Sequence, residues 1–214
     1  ETIKLIYQWT VSLLSIFLTF FKKTNRPDPG NIVVELLQNK FRPYSLNDIF
    51  WLPNSSINPQ TVYGISSIDY DKKSIDLLIK SNINIVSTIE AIARHPSILF
   101  KACKYFNIVQ VRSIYFIETF KLFVNLVTFI FKGCEDNWLS YQGIKYIIRV
   151  KYWSEIYRNL GASILWSMGD TDLERLIKAQ AIELNNGLYL GSHWSNYSLP
   201  SVGNQKFYDV NFPW

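Results

Sequence analysis

Apolar positions along this chain follow two periods, and the switch from one to the other marks its elements. Residues 31–37 (NIVVELL), 61–66 (TVYGIS) and 83–88 (INIVST) are short runs rich in branched side chains, the signature of buried strands. The breaker-rich TNRPDPG (24–30) precedes the first of them. Between the second and third runs, residues 70–81 carry charges on one side at helical spacing and predict an amphipathic helix. Strand, helix, strand is the order of a βαβ unit. Pro96 suits the first turn of a further helix running to about residue 106.

In the strongly apolar residues 113–132, Glu118, Lys121, Asn125, Thr128 and Lys132 form one polar stripe, which predicts a long amphipathic helix. Its wide apolar face needs cover from the sheet, from another helix or from a membrane surface. Residues 141–160 repeat the pattern with Ile144, Ile147, Ile148, Ile156 and Leu160, and Gly161 is placed to stop the helix. Residues 162–168 read as a strand. Thr171 and Glu174 have the spacing of a capping box for a helix that ends at Asn186-Gly187, and residues 188–191 read as the last strand. Near the start, residues 5–21 hold no charged side chain and lead into Lys22-Lys23, at the lower limit of roughly 17 residues for a membrane span. Gln8, Ser12, Ser15 and Thr19 share one stripe there, which favours a helix packed in a protein groove or lying in a lipid interface over one that spans. The expected class is α/β: a Rossmann-like open, mainly parallel sheet flanked by helices, with an extra N-terminal apolar helix. Residues 1–30 would be that helix and a linker, and 31–214 the α/β domain.

The strand, helix, strand of residues 162–191 fixes where its polar loops go. A right-handed crossover between neighbouring parallel strands puts both strand exits on one sheet edge. Beyond the carboxyl ends of the strands is where open parallel sheets bind ligands. Gly169-Asp170-Thr171-Asp172 and Ser192-His193-Trp194 are thereby expected at one cleft. Each has a plainer role available. Asp170 and Asp172 also suit the positive end of a helix dipole, and His193 also suits a hydrogen-bonded strand end. As chemistry, His193 offers a base near neutral pH, Trp194 and Tyr197 offer flat faces to a sugar ring, and Arg175 reaches phosphate, carboxylate or a surface acid.

Composition narrows the partners. The 214 residues are 48% hydrophobic, enough for a packed core. A net charge of +5 admits nucleic acid, anionic lipid or a phosphorylated molecule, but the basic residues are scattered and no nucleic acid is expected as partner. Cys103 and Cys134 have no CxxC spacing and no histidine nearby, so no metal site is expected and a reducing compartment suits them. No G-x-G-x-x-G, no Walker loop and no G-x-S-x-G elbow occurs, so no cofactor is expected in this segment. The chain starts at Glu1 and stops at Trp214 without a polar tail, which reads as a fragment cut at both ends.

Four segments taken together, NIVVELL, DIFWLPNSSINPQTVYGIS, GDTDLERLIKAQAIELNNGLYLGSHWSNY and YDVNFPW, resemble in order and spacing the amino-terminal half of bacterial surface-polysaccharide glycosyltransferases of the two-Rossmann-domain (GT-B) type. The resemblance covers most of the chain from Asn31 onward. It implies an acceptor domain, with His193 and its neighbours facing the acceptor. It also implies that YDVNFPW leads into a second domain that binds the nucleotide-sugar donor. The frequent Gln-His-Gly turn of such enzymes is Ser192-His193-Trp194 here. The expected function is sugar transfer to a growing cell-surface polysaccharide or lipid-linked glycan, in the cytoplasm at the inner face of the cell membrane. Asp170, Asp172 and His193 are the candidate catalytic residues. Glu35, Thr171, Arg175, Ser192, Trp194 and Tyr197 are the candidate substrate-binding residues, Glu35 also being a weaker candidate base. The alternative is a non-catalytic membrane-associated interaction module, which requires the Asp170 and His193 loops to lie apart.

Overall fold

The computed structural model describes residues 29–36, 52, 55–66, 70–88, 107–109, 124, 128, 137–168, 173–192 and 210–212. They contain seven strands: β1 Asn31–Leu36, β2 Val62–Ser66, β3 Asn84–Thr88, β4 Asn107–Val109, β5 Ala162–Met168, β6 Leu188–Ser192 and β7 Val210–Phe212. Among the elements that accompany them are three α-helices, α1 Lys72–Lys80, α2 Asn137–Leu160 and α3 Leu173–Glu183, and a 3-10 turn at Pro59–Thr61. All strand pairings are parallel, and the sheet order is β4-β3-β2-β1-β5-β6-β7. From β1 the chain steps outward through β2, β3 and β4, then returns to the other side of β1 and steps outward through β5, β6 and β7. The fold is an open, doubly wound, Rossmann-like α/β sheet, and its direction of winding reverses between β1 and β5.

That reversal decides which helix covers which face. Right-handed crossovers that run in opposite directions along a sheet place their helices on opposite faces. The core divides accordingly. Val34, Leu36, Val62 and Ile85 pack with Ile75 and Leu78 of α1, whereas Val33, Ile65, Val86 and Leu165 pack with Ile156 of α2 and Ile177, Ala181 and Ile182 of α3. Neighbours on one strand, Val33 and Val34, therefore serve different cores, as the two-residue period of a strand demands. Strands buried on both faces read as mostly apolar runs rather than alternating ones, and NIVVEL and ASILWSM do, apart from Glu35, Ser163 and Ser167.

Local chemistry sets the element ends. Asp71 caps α1 by accepting from the Ser74 amide at 2.8 Å, and Asn82 leaves the helix with φ 58°. Gly161 ends α2 with φ 62°, and its carbonyl accepts from the amides of Gly30 and Asn31 at 3.2 and 3.1 Å. The Asn31 side chain donates to the Leu160 carbonyl at 2.6 Å. One helix terminus thus fixes where β1 and β5 begin. At the end of α3 the left-handed residue is Asn186, φ 57°, not Gly187. Gly187 is demanded by space instead, because a Cβ there would come within 2.7 Å of Ile182 and 2.9 Å of the Ser163 carbonyl.

One expectation needs correction, and one strand is added. Residues 188–191 are not the last strand, since β7 adds Val210–Phe212 beside β6 in register with Leu190 to Ser192. Asn107–Val109 is a strand as well. Each has three residues, too short to display a period of its own, and is recruited by the edge of an existing sheet. The expected helix at 113–132 is described only at Val124 and Thr128, both helical, with the Thr128 hydroxyl donating to the Val124 carbonyl at 2.8 Å. The apolar segment 5–21 and the helix expected from Pro96 lie outside the described residues. Among the described residues no helix is long and apolar enough to cross a membrane.

Candidate functional site at the sheet reversal

The carboxyl ends of β1 and β5 meet at the reversal, and there an apolar sheet becomes polar. Glu35 on β1 and Ser167 on β5 interrupt largely apolar runs, and both face the side covered by α2 and α3. Ser167 donates to Glu35 Oε2 at 2.6 Å, and Lys178 of α3 forms an ion pair with Glu35 Oε1. The pair is nearly dry, its side chains 12% and 5% exposed. Burial pushes the Glu35 carboxyl up. The charge of Lys178, the hydrogen bonds from Lys178 and Ser167 and the charge of Arg175 outweigh that and hold it below the usual carboxylate range. Glu35 is therefore ionised at neutral pH and a poor proton acceptor, so its geometry suits orienting a group better than serving as the base.

Helix α2 supplies the walls. The Lys178 ammonium lies 4.5 Å from the centre of the Trp153 ring, a cation–π arrangement. Trp153 stacks on Tyr157 with centroids 5.8 Å apart, and its indole donates to Glu174 Oε1 at 2.5 Å. Arg149 pairs with the same oxygen, and Asn185 ties the end of α3 to Ser154. Glu174, expected to reach back toward Thr171, thus spends this oxygen on α2. The Tyr157 hydroxyl is fully buried and has no hydrogen-bond partner among the described residues. Desolvation first, then the charges of Glu35, Tyr189 and Glu174, push its ionisation well above the normal tyrosine value, so it is a neutral O–H donor at any physiological pH.

Of the candidates read from the sequence, the structure places Glu35 at this junction and Arg175 on the first turn of α3, its charge felt at Glu35. Ser192 is the last residue of β6, in register with Met168, the last of β5. The chain therefore leaves β5 toward Gly169 and leaves β6 toward His193 from paired positions on one sheet edge. Asp170, Thr171, Asp172, His193, Trp194 and Tyr197 themselves lie outside the described residues.

Sequence reasoning missed Ser167, Lys178, Trp153 and Tyr157. A signal for Lys178 was available, since it precedes Ala181 by three residues and Ile182 by four and so shares their buried stripe. A lysine there requires an acid, and Glu35 in an apolar strand requires a base. No signal of that kind marked Tyr157. Among the described residues no group of three or more His, Cys, Asp or Glu is placed to hold a metal ion. In comparisons with protein-family models, curated proteins and solved structures, nothing matches this chain.

Proposed function

We propose that the chain is the acceptor-side domain of a glycosyltransferase that moves a sugar from a nucleotide-sugar donor to a cell-surface polysaccharide or lipid-linked glycan. The observation that carries the reading is the sheet reversal: Glu35, the exit of β5 toward Asp170 and the exit of β6 toward His193 share one edge. Glycosyl transfer needs a base for the acceptor hydroxyl if it inverts, or a stabilised oxocarbenium-like state if it retains. Asp170, Asp172 and His193 are the proposed sources of that chemistry, since Glu35 is held ionised by Lys178. Thr171, Arg175, Ser192, Trp194 and Tyr197 are proposed to line the acceptor. The donor would be held by a second domain, and the work done at the inner face of the cell membrane.

The test is nucleotide release and sugar incorporation by the gene product that carries this chain, supplied with membranes as acceptor. His193→Ala or Asp170→Asn is expected to lower turnover by about 10²-fold or more, the usual scale of a lost acid or base, with the melting temperature unchanged. Full turnover in every one of the Asp170, Asp172 and His193 variants would remove the proposed mechanism. Absence of any transfer with a broad donor set would favour the interaction-module reading.

A further inference from the structure

The sheet is sealed on one side and partly open on the other. On the side covered by α2 and α3, Val33 of β1, Leu165 of β5 and Tyr189 of β6 are 0%, 0% and 2% exposed. On the reverse side the same strands carry two apolar rows in register: Ile32 beside Ile164 beside Leu188, and Val34 beside Trp166 beside Leu190. Val34 is buried in the core that includes α1, but Ile32, Ile164, Trp166 and Leu190 are only half-buried and Leu188 is 50% exposed. Helix α1 packs over β1, β2 and β3, and among the described residues no helix belongs to a core with Ile164, Leu188 or Leu190. Parallel sheets are stable with both faces covered, so this half of the sheet calls for an occupant.

Topology narrows the choice. Right-handed connections among β1 to β4 run on the α1 side over those strands, and the connections from β4 through β7 run on the α2 and α3 side. The chain before β1 joins no two strands and is under no such constraint. Its entry point is also suitable, because the Gly30 and Asn31 amides bond to the Gly161 carbonyl and so bring the chain in where β1 meets β5. Residues 22–29 reach about 26 Å when extended, whereas β6 lies roughly 10 Å from β1. Residues 5–21 hold no charged side chain, and a helix, about 10 Å across, is as wide as that span. Opposite the stripe of Gln8, Ser12, Ser15 and Thr19, helical spacing puts Leu13, Leu14 and Phe17.

We infer that residues 5–21 dock as a helix, by their Leu13, Leu14 and Phe17 side, on the Ile164, Leu188 and Leu190 face of this same sheet rather than crossing a membrane. The tether favours this occupant over a second copy of the chain, since a short linker holds it at an effective concentration on the order of millimolar. The inference is independent of the transferase reading.

The test places photo-reactive p-benzoylphenylalanine at Leu188 of the whole chain and, as a control, at Leu139, an exposed residue of α2, which packs on the other side of the sheet. Irradiation with and without anionic phospholipid vesicles, followed by peptide mass spectrometry, is expected to join position 188, and not position 139, to residues 5–21 of the same molecule. Leu14→Asp combined with Phe17→Asp is expected to abolish that cross-link and to raise hydroxyl-radical oxidation of Leu188 and Leu190 severalfold, with Val33 and Leu165 still protected. The cross-link in the chain without these two substitutions decides by itself if the double variant does not fold. Cross-links that grow with protein concentration and join two copies, cross-links to lipid or to sequence following Trp214 in the gene product, an equal yield from position 139, or no cross-link at all would each overturn the inference.

Discussion

At the residue scale the strongest commitment of the chain is the Glu35–Lys178 pair. Two charges were taken out of water, and a buried pair of this kind rarely stabilises more than apolar residues of the same size would. Removing one partner is a different matter, because it leaves the other charge buried alone. Glu35→Gln and Lys178→Met are each expected to lower unfolding free energy by about 3–5 kcal/mol, and the double variant to regain most of the loss. Urea midpoints of the four proteins measure this. Losses that simply add would show that the two side chains do not interact. The pH dependence has a definite sign. Since the folded-state value of Glu35 lies below its unfolded value of about 4.3, its stabilisation is fully present above that unfolded value. It is lost as pH falls through the folded value. The midpoint of wild type is expected to fall below about pH 4 more steeply than that of the double variant, and parallel curves would contradict the assignment.

At the element scale, what the sequence revealed and what it hid have physical causes. β5 was legible to its end residues, because ASILWSM lies between Gly161, which must take a positive φ, and the polar GDTD turn. α1 and α3 were legible because each buries one stripe, as Ile75 and Leu78 do in α1. Helix α2 was placed four residues late at its start, where Leu139 is 64% exposed. β4 and β7 were not legible at all, since a three-residue edge strand owes its existence to its neighbour. At the site, Glu35 was visible and its partners were not, because a strand pattern reveals faces and the pairing lies across 143 residues of sequence. The turn after α3 offers a test of the packing argument. Gly187→Ala is expected to destabilise by about 1–3 kcal/mol through overlap with Ile182 and the Ser163 carbonyl. Asn186→Gly, at a position whose φ glycine adopts freely, is expected to change stability by only a few tenths. Thermal midpoints decide, and equal effects at the two positions would show that conformation rather than space dictates the turn.

At the scale of the whole molecule, topology does what no single motif does. A sheet that reverses direction beside its first strand opens a crevice where two sets of crossovers diverge. This chain puts its buried Glu35–Lys178 ion pair and two loop exits on the carboxyl side of that reversal. The opposite edge is closed by backbone bonds from Gly30 and Asn31 to Gly161 and by Asn31 on Leu160, and its role is to hold the strands in place. Ligands should therefore discriminate between the two edges of one sheet. The most direct measurement is amide chemical-shift mapping of the chain titrated with methyl glycosides and short oligosaccharides. The expected shifts concentrate at the carboxyl ends of the strands, at Glu35, Leu36, Ser167, Met168, Gly191 and Ser192, with Asn31, Asn84, Ala162 and Leu188 unmoved. Shifts centred on that second set, or spread evenly over both edges, would contradict the placement of the site at the sheet reversal.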